Sequence, residues 1–220
     1  MKGNNMHRML NFDGKPMMAR LSDGTLLAFF FGSHEHADAH TARYAGHRVT
    51  MRTSSDHGAT WGEQRTVLTL PTDRGGFFRP DGLVALVDDV DEVHLFFLND
   101  ADTGVVPTLA KFVDVPGEGE RPKQGTTTGR RLDIWHMRTT AGRTRWPQPR
   151  PIWTGYCGAL NSVVQLRSGR IVLPFAFLTD RTWGGRRGEG VEMCTFHGQY
   201  DCTVLYSDDQ GATWSLSYGS

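Results

Sequence analysis

Cysteine is scarce in this chain. Three stand among 220 residues (Cys157, Cys194 and Cys202), with no Cys-x-x-Cys pair. A zinc ribbon or dithiol redox centre is thereby excluded. A local Cys194–Cys202 bridge would require an exported protein, and reduced thiols are the expectation. Excess charge is missing too: 24 Lys+Arg match 24 Asp+Glu, and the pI is near 7.1. That balance removes the electrostatic footprint of a nucleic-acid binder, so no nucleic-acid partner is expected. No apolar run approaches the length that spans a bilayer, so no membrane partner is expected either. The opening MKGNNMHRML has no apolar segment of signal-peptide length, which makes the cytoplasm the default compartment. Helical periodicity is nearly absent as well. In its place stand short β-rich runs bounded by Gly, Asp and Ser.

What is present is an octapeptide spelled almost identically twice. Residues 54–61 read SSDHGATW and residues 207–214 read SDDQGATW, both fitting Ser-x-Asp-x-Gly-x-Thr-Trp. Asp56 and Asp209 are placed to accept backbone N–H bonds within a tight turn, with the Ser and Thr hydroxyls assisting. Gly58 and Gly211 supply a backbone conformation that a Cβ disfavours. Trp61 and Trp214 carry a large apolar ring with one N–H to satisfy, and plug the turn into a core. The pattern reads as a clasp closing two strands.

One order of parts surrounds the clasp. In residues 15–70 it runs KPMMARLS, a DG turn, TLLAFFFG, a polar loop, HRVTMRTSSDHGATW and EQRTVLTL. The order restarts with GLVALV, a DDVDE turn, VHLFFLN, a long loop, LDIWHMRTTAGRTRW and RPIWTG, where the clasp has lost its Asp and Gly but keeps Trp146. A third cycle gives ALNSVVQLR, a turn, RIVLPFAFL, a loop and CTVLYSDDQGATW. Units of four strands, with the clasp between strands three and four, are the grammar of an all-β propeller, a β-sandwich being the lesser alternative. Blade one is expected over about 15–70, blade two over about 78–154, and an incomplete blade three over about 156–220.

The two boxes, the LSDGTLLAFF and LRSGRIVLPFAF hairpins, and GYCGALNSVVQLRSGRIVLPF (155–175) resemble the sialidase superfamily, whose repeats carry this "Asp box". The resemblance runs from about residue 12 to 218. It implies a six-bladed propeller of which about three blades are present. The expectation is the N-terminal half of a longer protein, with a dimer of half-propellers as the alternative. Either way, self-association through exposed blade faces is an expected property.

The same resemblance implies an exo-glycoside hydrolase acting on a terminal sugar, sialic acid being the acidic example. The family uses an arginine clamp, an Asp acid/base and a Tyr nucleophile assisted by a Glu. Arginine suits the substrate carboxylate because its planar fork grips both oxygens. Mapped onto this chain, the acid/base position falls on Asp38, in the loop GSHEHADAHTARY, flanked by His36 and His40. The first clamp position falls on Gly14, a departure from the family's arginine, with Lys15 beside it. Arg79 and Asp81 in FRPDG, together with Lys15, are the expected substrate contacts from the starts of blades two and one. Tyr156 and Asn161 are expected at the start of blade three, for stacking and hydrogen bonding to a sugar ring.

Two alternatives stand beside this reading. His34, His36, Asp38 and His40 alternate, so an extended segment would turn all four the same way and offer them to a divalent cation. Sugar or backbone bonding is the favoured role for those histidines, and no metal or other cofactor is expected. A non-catalytic propeller that binds glycans or proteins would account for the missing arginine at position 14. A truncated, inactive piece is the third possibility.

Overall fold

The computed structural model describes residues 16–32, 48–69, 77–78, 82–102, 111–112, 130–140, 146–155, 157–178, 182–184, 195–197 and 200–217. Every regular element among them is a strand. The first sheet has the order β1 (Met17–Arg20), β2 (Leu26–Gly32), β3 (Arg48–Ser54) and β4 (Arg65–Thr69), antiparallel throughout. In the second sheet, β7 (Glu92–Asp102) is flanked by β9 (Arg130–Thr140) on one side. On its other side lie β5 (Phe77–Phe78) and β6 (Val84–Val87), and β10 (Arg150–Trp153) closes the outer edge. The third repeats the plan with β11 (Cys157–Leu160) and β12 (Val164–Gln165) against β13 (Ile171–Leu178), then β16 (Tyr200–Ser207) and β17 (Ser215–Ser217). The architecture is all-β and of the propeller type.

The innermost strand of the second and third sheets is split in two, where four unbroken strands were expected. Gly82 lies in the first gap, pressed onto Leu98 so closely that a Cβ would fall 2.8 Å from Leu98 Cγ. A fourth small sheet was not anticipated. In it β14 (Thr182–Gly184) pairs antiparallel with β15 (Thr195–His197) and parallel with β8 (Lys111–Phe112).

The strand pattern follows from what each sheet must cover. Along β7, Val93, Leu95 and Phe97 enter a core shared with Leu27, Phe29, Val49 and Leu68 of the first sheet. The alternate residues Phe96 and Leu98 enter a second core with Leu160, Ile171, Leu173 and Leu205 of the third sheet. A strand apolar on both faces belongs to a sheet covered on both faces, which explains the continuous run VHLFFL. Burying a Phe or Leu side chain contributes about 1.5–3 kcal/mol, so the middle sheet cements its neighbours.

Both clasps are wired alike. Asp56 Oδ1 accepts bonds from Ser54 Oγ (2.7 Å) and Thr60 N–H (2.8 Å), and Gly58 N–H donates to Ser54 Oγ (2.9 Å). In the second clasp, Asp209 Oδ1 takes Ser207 Oγ (2.7 Å) and Thr213 N–H (2.8 Å), and Gly211 N–H donates to Ser207 Oγ (2.7 Å). Gly58 and Gly211 hold φ of 88° and 79°, the left-handed conformation expected of them. Trp214 meets Phe96 edge-on at 5.4 Å, and Trp146 meets Phe29 edge-on at 6.0 Å, so the degenerate middle cycle keeps its plug. Contrary to expectation, the buried Nε1 of Trp214 has no hydrogen-bond partner among the described residues.

Candidate active site

The hairpin turns orient the three sheets. Leu21–Thr25, Asp88–Glu92 and Leu166–Arg170 close β1–β2, β6–β7 and β12–β13 with the same pair of backbone bonds. Asp91 occupies the left-handed position that Gly24 and Gly169 fill in the other two, a conformation Asp tolerates better than most residues. Ser22 N–H and Oγ both donate to the Asp91 carboxylate. Asp89 N–H donates to Gln165 Oε1 (2.8 Å), and Gln165 Nε2 returns a bond to Asp89 Oδ1 (3.0 Å). These side-by-side turns place one end of all three sheets at a common pole. Antiparallel pairing puts both clasps there too, at the ends of β3 and β16.

The opposite pole therefore gathers the starts of β1 and β11, the ends of β2, β7 and β13, and the starts of β3, β9 and β16. Lys15, His36, Asp38, His40, Arg79, Asp81 and Tyr156 lie outside the described residues, as does His34. The strand ends that bracket them are at this pole: Met17, Gly32 and Arg48, Phe78, and Cys157. Asn161 is described. It is exposed in the break between β11 and β12.

Asn99 and Asp133, which the sequence reading missed, sit near the mouth ends of β7 and β9 and face each other in register. Both are buried. Asp133 Oδ1 accepts the Gly155 N–H at 2.9 Å, tying blade two to the start of blade three. Gly155 is required by proximity, since a Cβ would fall 2.3 Å from the Trp153 ring. Among the described residues the buried Oδ1 of Asn99 has no partner, and Phe78, one residue before Arg79, stands opposite Asn99 in the strand register. Its signal in the sequence is slight: a polar residue ending an apolar run. At the start of β11, burial pushes the Cys157 thiol up to about 12, so it remains protonated and is no nucleophile at neutral pH. The β8–β14 pairing links the segment after β7 to the segment after β13, so two mouth-side connections meet.

No family model matches the chain. A sialidase from Micromonospora viridifaciens is 27% identical over 210 residues, covering 90% of this chain and 28% of the relative. Among solved structures, the Hadza microbial sialidase Hz136 superposes with a TM-score of 0.54 at 14% identity, over 92% of this chain and 36% of that one. A protein of unknown function from Dyadobacter fermentans gives 0.51 at 16% identity, over 92% of this chain and 53% of that one. The fold defined by clasped, radially packed sheets is the sialidase-type propeller. The chain is similar to that sialidase in sequence and spans 28% of the relative's length. Among the described residues, no helix is long and apolar enough to cross a membrane.

Proposed function

We propose that this chain forms part of a carbohydrate-active propeller, a sialidase-like exo-glycoside hydrolase whose substrate is a terminal sugar such as sialic acid. The observation that carries the reading is topological. Strand ends flanking the polar segments 33–47, 79–81 and 154–156 share one pole, away from the clasps. A site built there draws side chains from three blades at once. Asp38 acts as the general acid/base, a role that needs a carboxyl whose pKa is raised toward the working pH by apolar surroundings. Lys15 and Arg79 attract the substrate's anionic group, while Asp81, His36, His40, Tyr156 and Asn161 bind its hydroxyls and ring. No cofactor takes part.

The test is Asp38→Ala in the full gene product, assayed on aryl glycosides including an aryl sialoside. Loss of turnover by about a hundredfold or more is expected, and unchanged turnover would dispose of the assigned role. Gly14, standing where the family carries an arginine, favours a second reading: a glycan-binding propeller without catalysis. That reading predicts sugar binding by calorimetry with no hydrolysis by the wild type.

A further inference from the structure

Three buried side-chain polar atoms have no hydrogen-bond partner among the described residues: Asn99 Oδ1, Trp135 Nε1 and Trp214 Nε1. Native interiors keep few such groups, and each calls for a cause. Trp214 stands apart, its ring set edge-on to Phe96 and His136 under the clasp of blade three. The other two atoms belong to adjacent strands of blade two. Asn99 of β7 stands opposite Asp133 of β9, and Phe97 stands opposite Trp135. Asn99 and Trp135 are therefore diagonal neighbours across the ladder, a spacing within reach of long and aromatic side chains.

Both side chains belong to the face of blade two that meets blade one. The β7–β9 register runs without a break from Glu92 to Asp102, so alternation holds along β7. Val93, Leu95 and Phe97 enter the core shared with blade one, and Asn99 is the next residue of that series. Met137 of β9 lies in the same core, and Trp135 packs against it. Asn99 is at the mouth end of this seam, with Trp135 one pair further in. Leu27, Phe29, Val49 and Leu68, which blade one sends into the core, are hydrocarbon side chains and satisfy neither atom.

The two atoms define the group that would complete both. Asn99 Oδ1 only accepts, so its partner must carry a hydrogen to give. The indole N–H only donates, so its partner must carry a lone pair. A carboxylate has no hydrogen for Asn99, and it would also meet the charge of Asp133 on the same side of the sheet. An ammonium has no lone pair for Trp135. A hydroxyl oxygen meets both demands, accepting from Trp135 Nε1–H and donating to Asn99 Oδ1. We propose that Asn99 and Trp135 form a hydroxyl-binding niche in the seam between blades one and two, on the mouth side.

Water is one source of that oxygen, and a hydroxyl of a sugar held at the mouth is the other. The first source is independent of the glycoside hydrolase reading, and the second rests on it. The demand on the ligand is the same in both cases, because it comes from the two protein atoms.

The test is a crystal structure of the full gene product, free and soaked with sialic acid. The expected result is an oxygen within about 3.2 Å of both Asn99 Oδ1 and Trp135 Nε1. One that is present in the free crystal and unmoved by the sugar identifies water. One supplied by the soaked sugar identifies its hydroxyl. If sialic acid fails to bind, the glycoside reading suffers while the free crystal still decides the niche. Absence of such an oxygen from both crystals, or protein groups already bonded to the two atoms, would overturn the proposal. Trp135→Phe keeps an aromatic ring in the core and removes only the donor, so occupancy of the oxygen should fall about threefold to tenfold. Undiminished occupancy in that variant would also count against the niche.

Discussion

The two near-identical octapeptides make a paired experiment, because one glycine is seated against a neighbouring blade and the other is not. Gly58 and Gly211 both hold left-handed backbone, with φ of 88° and 79°. Alanine at either position carries the same conformational cost, about 1–2 kcal/mol. The surroundings differ. A Cβ at Gly58 would meet Leu26 and Trp61 at 3.6 and 3.8 Å, ordinary contact distances. A Cβ at Gly211 would meet His136 at 2.9 Å and His94 at 3.2 Å, rings held by hydrogen bonds and unable to swing aside. Overpacking of this kind adds about 1–3 kcal/mol. For a chain of this size each kcal/mol lowers the melting temperature by about 2–4 °C. Gly58→Ala should therefore lose about 2–8 °C and Gly211→Ala about 4–20 °C, read by circular dichroism under identical conditions. Equal losses would refute the assignment of the second clasp as a seated plug. A larger loss at Gly58 would refute it more strongly.

Cysteine accessibility supplies a chemical check on the third sheet. Cys202 is exposed and Cys157 is buried with its thiol pushed up to about 12, so iodoacetamide near neutral pH should label Cys202 and spare Cys157 in the native protein. Peptide mass mapping reads the outcome, and labelling of Cys157 would contradict the packing of β11. The clasp carboxylates predict acid sensitivity of a defined sign. Thr60 and Thr213 hydrogen bonds hold Asp56 and Asp209 at about 2, below their ordinary 3.8. The unfolded chain thus takes up these protons first, and the stability the clasps contribute is present above 3.8 and lost as pH falls toward 2. Thr60→Val with Thr213→Val should flatten the dependence of the urea midpoint on pH across that window, and an unchanged slope would show that the hydroxyls do not set it.

The fold was legible because its signals are local. The clasps and the Gly24 and Gly169 turns are each fixed within a few residues by Asx geometry and left-handed backbone, so eight letters suffice to recognise them. The apolar run in β7 read as a strand, and its cover on both faces came only with the structure. The parts that stayed hidden depend on distant partners. His94 and His136 are 42 residues apart, and nothing in either neighbourhood marks them as a bonded pair. Asn99 and Asp133 join across the same two strands and were hidden for the same reason. The strands β8, β14 and β15 are only two or three residues long, too short to show any periodicity. The candidate site was reached through the family resemblance, and Asp38, proposed as its acid/base, lies outside the described residues. The local physics of the sequence supplied only the pole.

The distribution of satisfied polar groups gives a reason for looking to that pole. At the clasp end, polar side chains are spent on one another: Asp56 on Ser54 and Thr60, Asp209 on Ser207 and Thr213, Asp91 on Ser22, Asp89 on Gln165, and Arg170 on Asp208. A carboxylate that already holds several short bonds resists giving them up to a ligand, because each must be replaced as well made. Such an end is suited to holding blades together. At the mouth end the described residues include a buried Asn99 carbonyl without a partner, a type of defect that native interiors avoid except where something else completes it. Among the described residues, the Trp214 Nε1 aside, the clasp pole is satisfied and the mouth keeps an open acceptor, a division that favours the mouth as the side a ligand would complete. Asn99→Leu tests that division, since an acceptor awaiting a donor and one merely stranded have opposite signs. A stranded carbonyl replaced by an apolar side chain of similar size should raise the melting temperature, whereas unchanged stability with weakened sugar binding in calorimetry is the result the division requires.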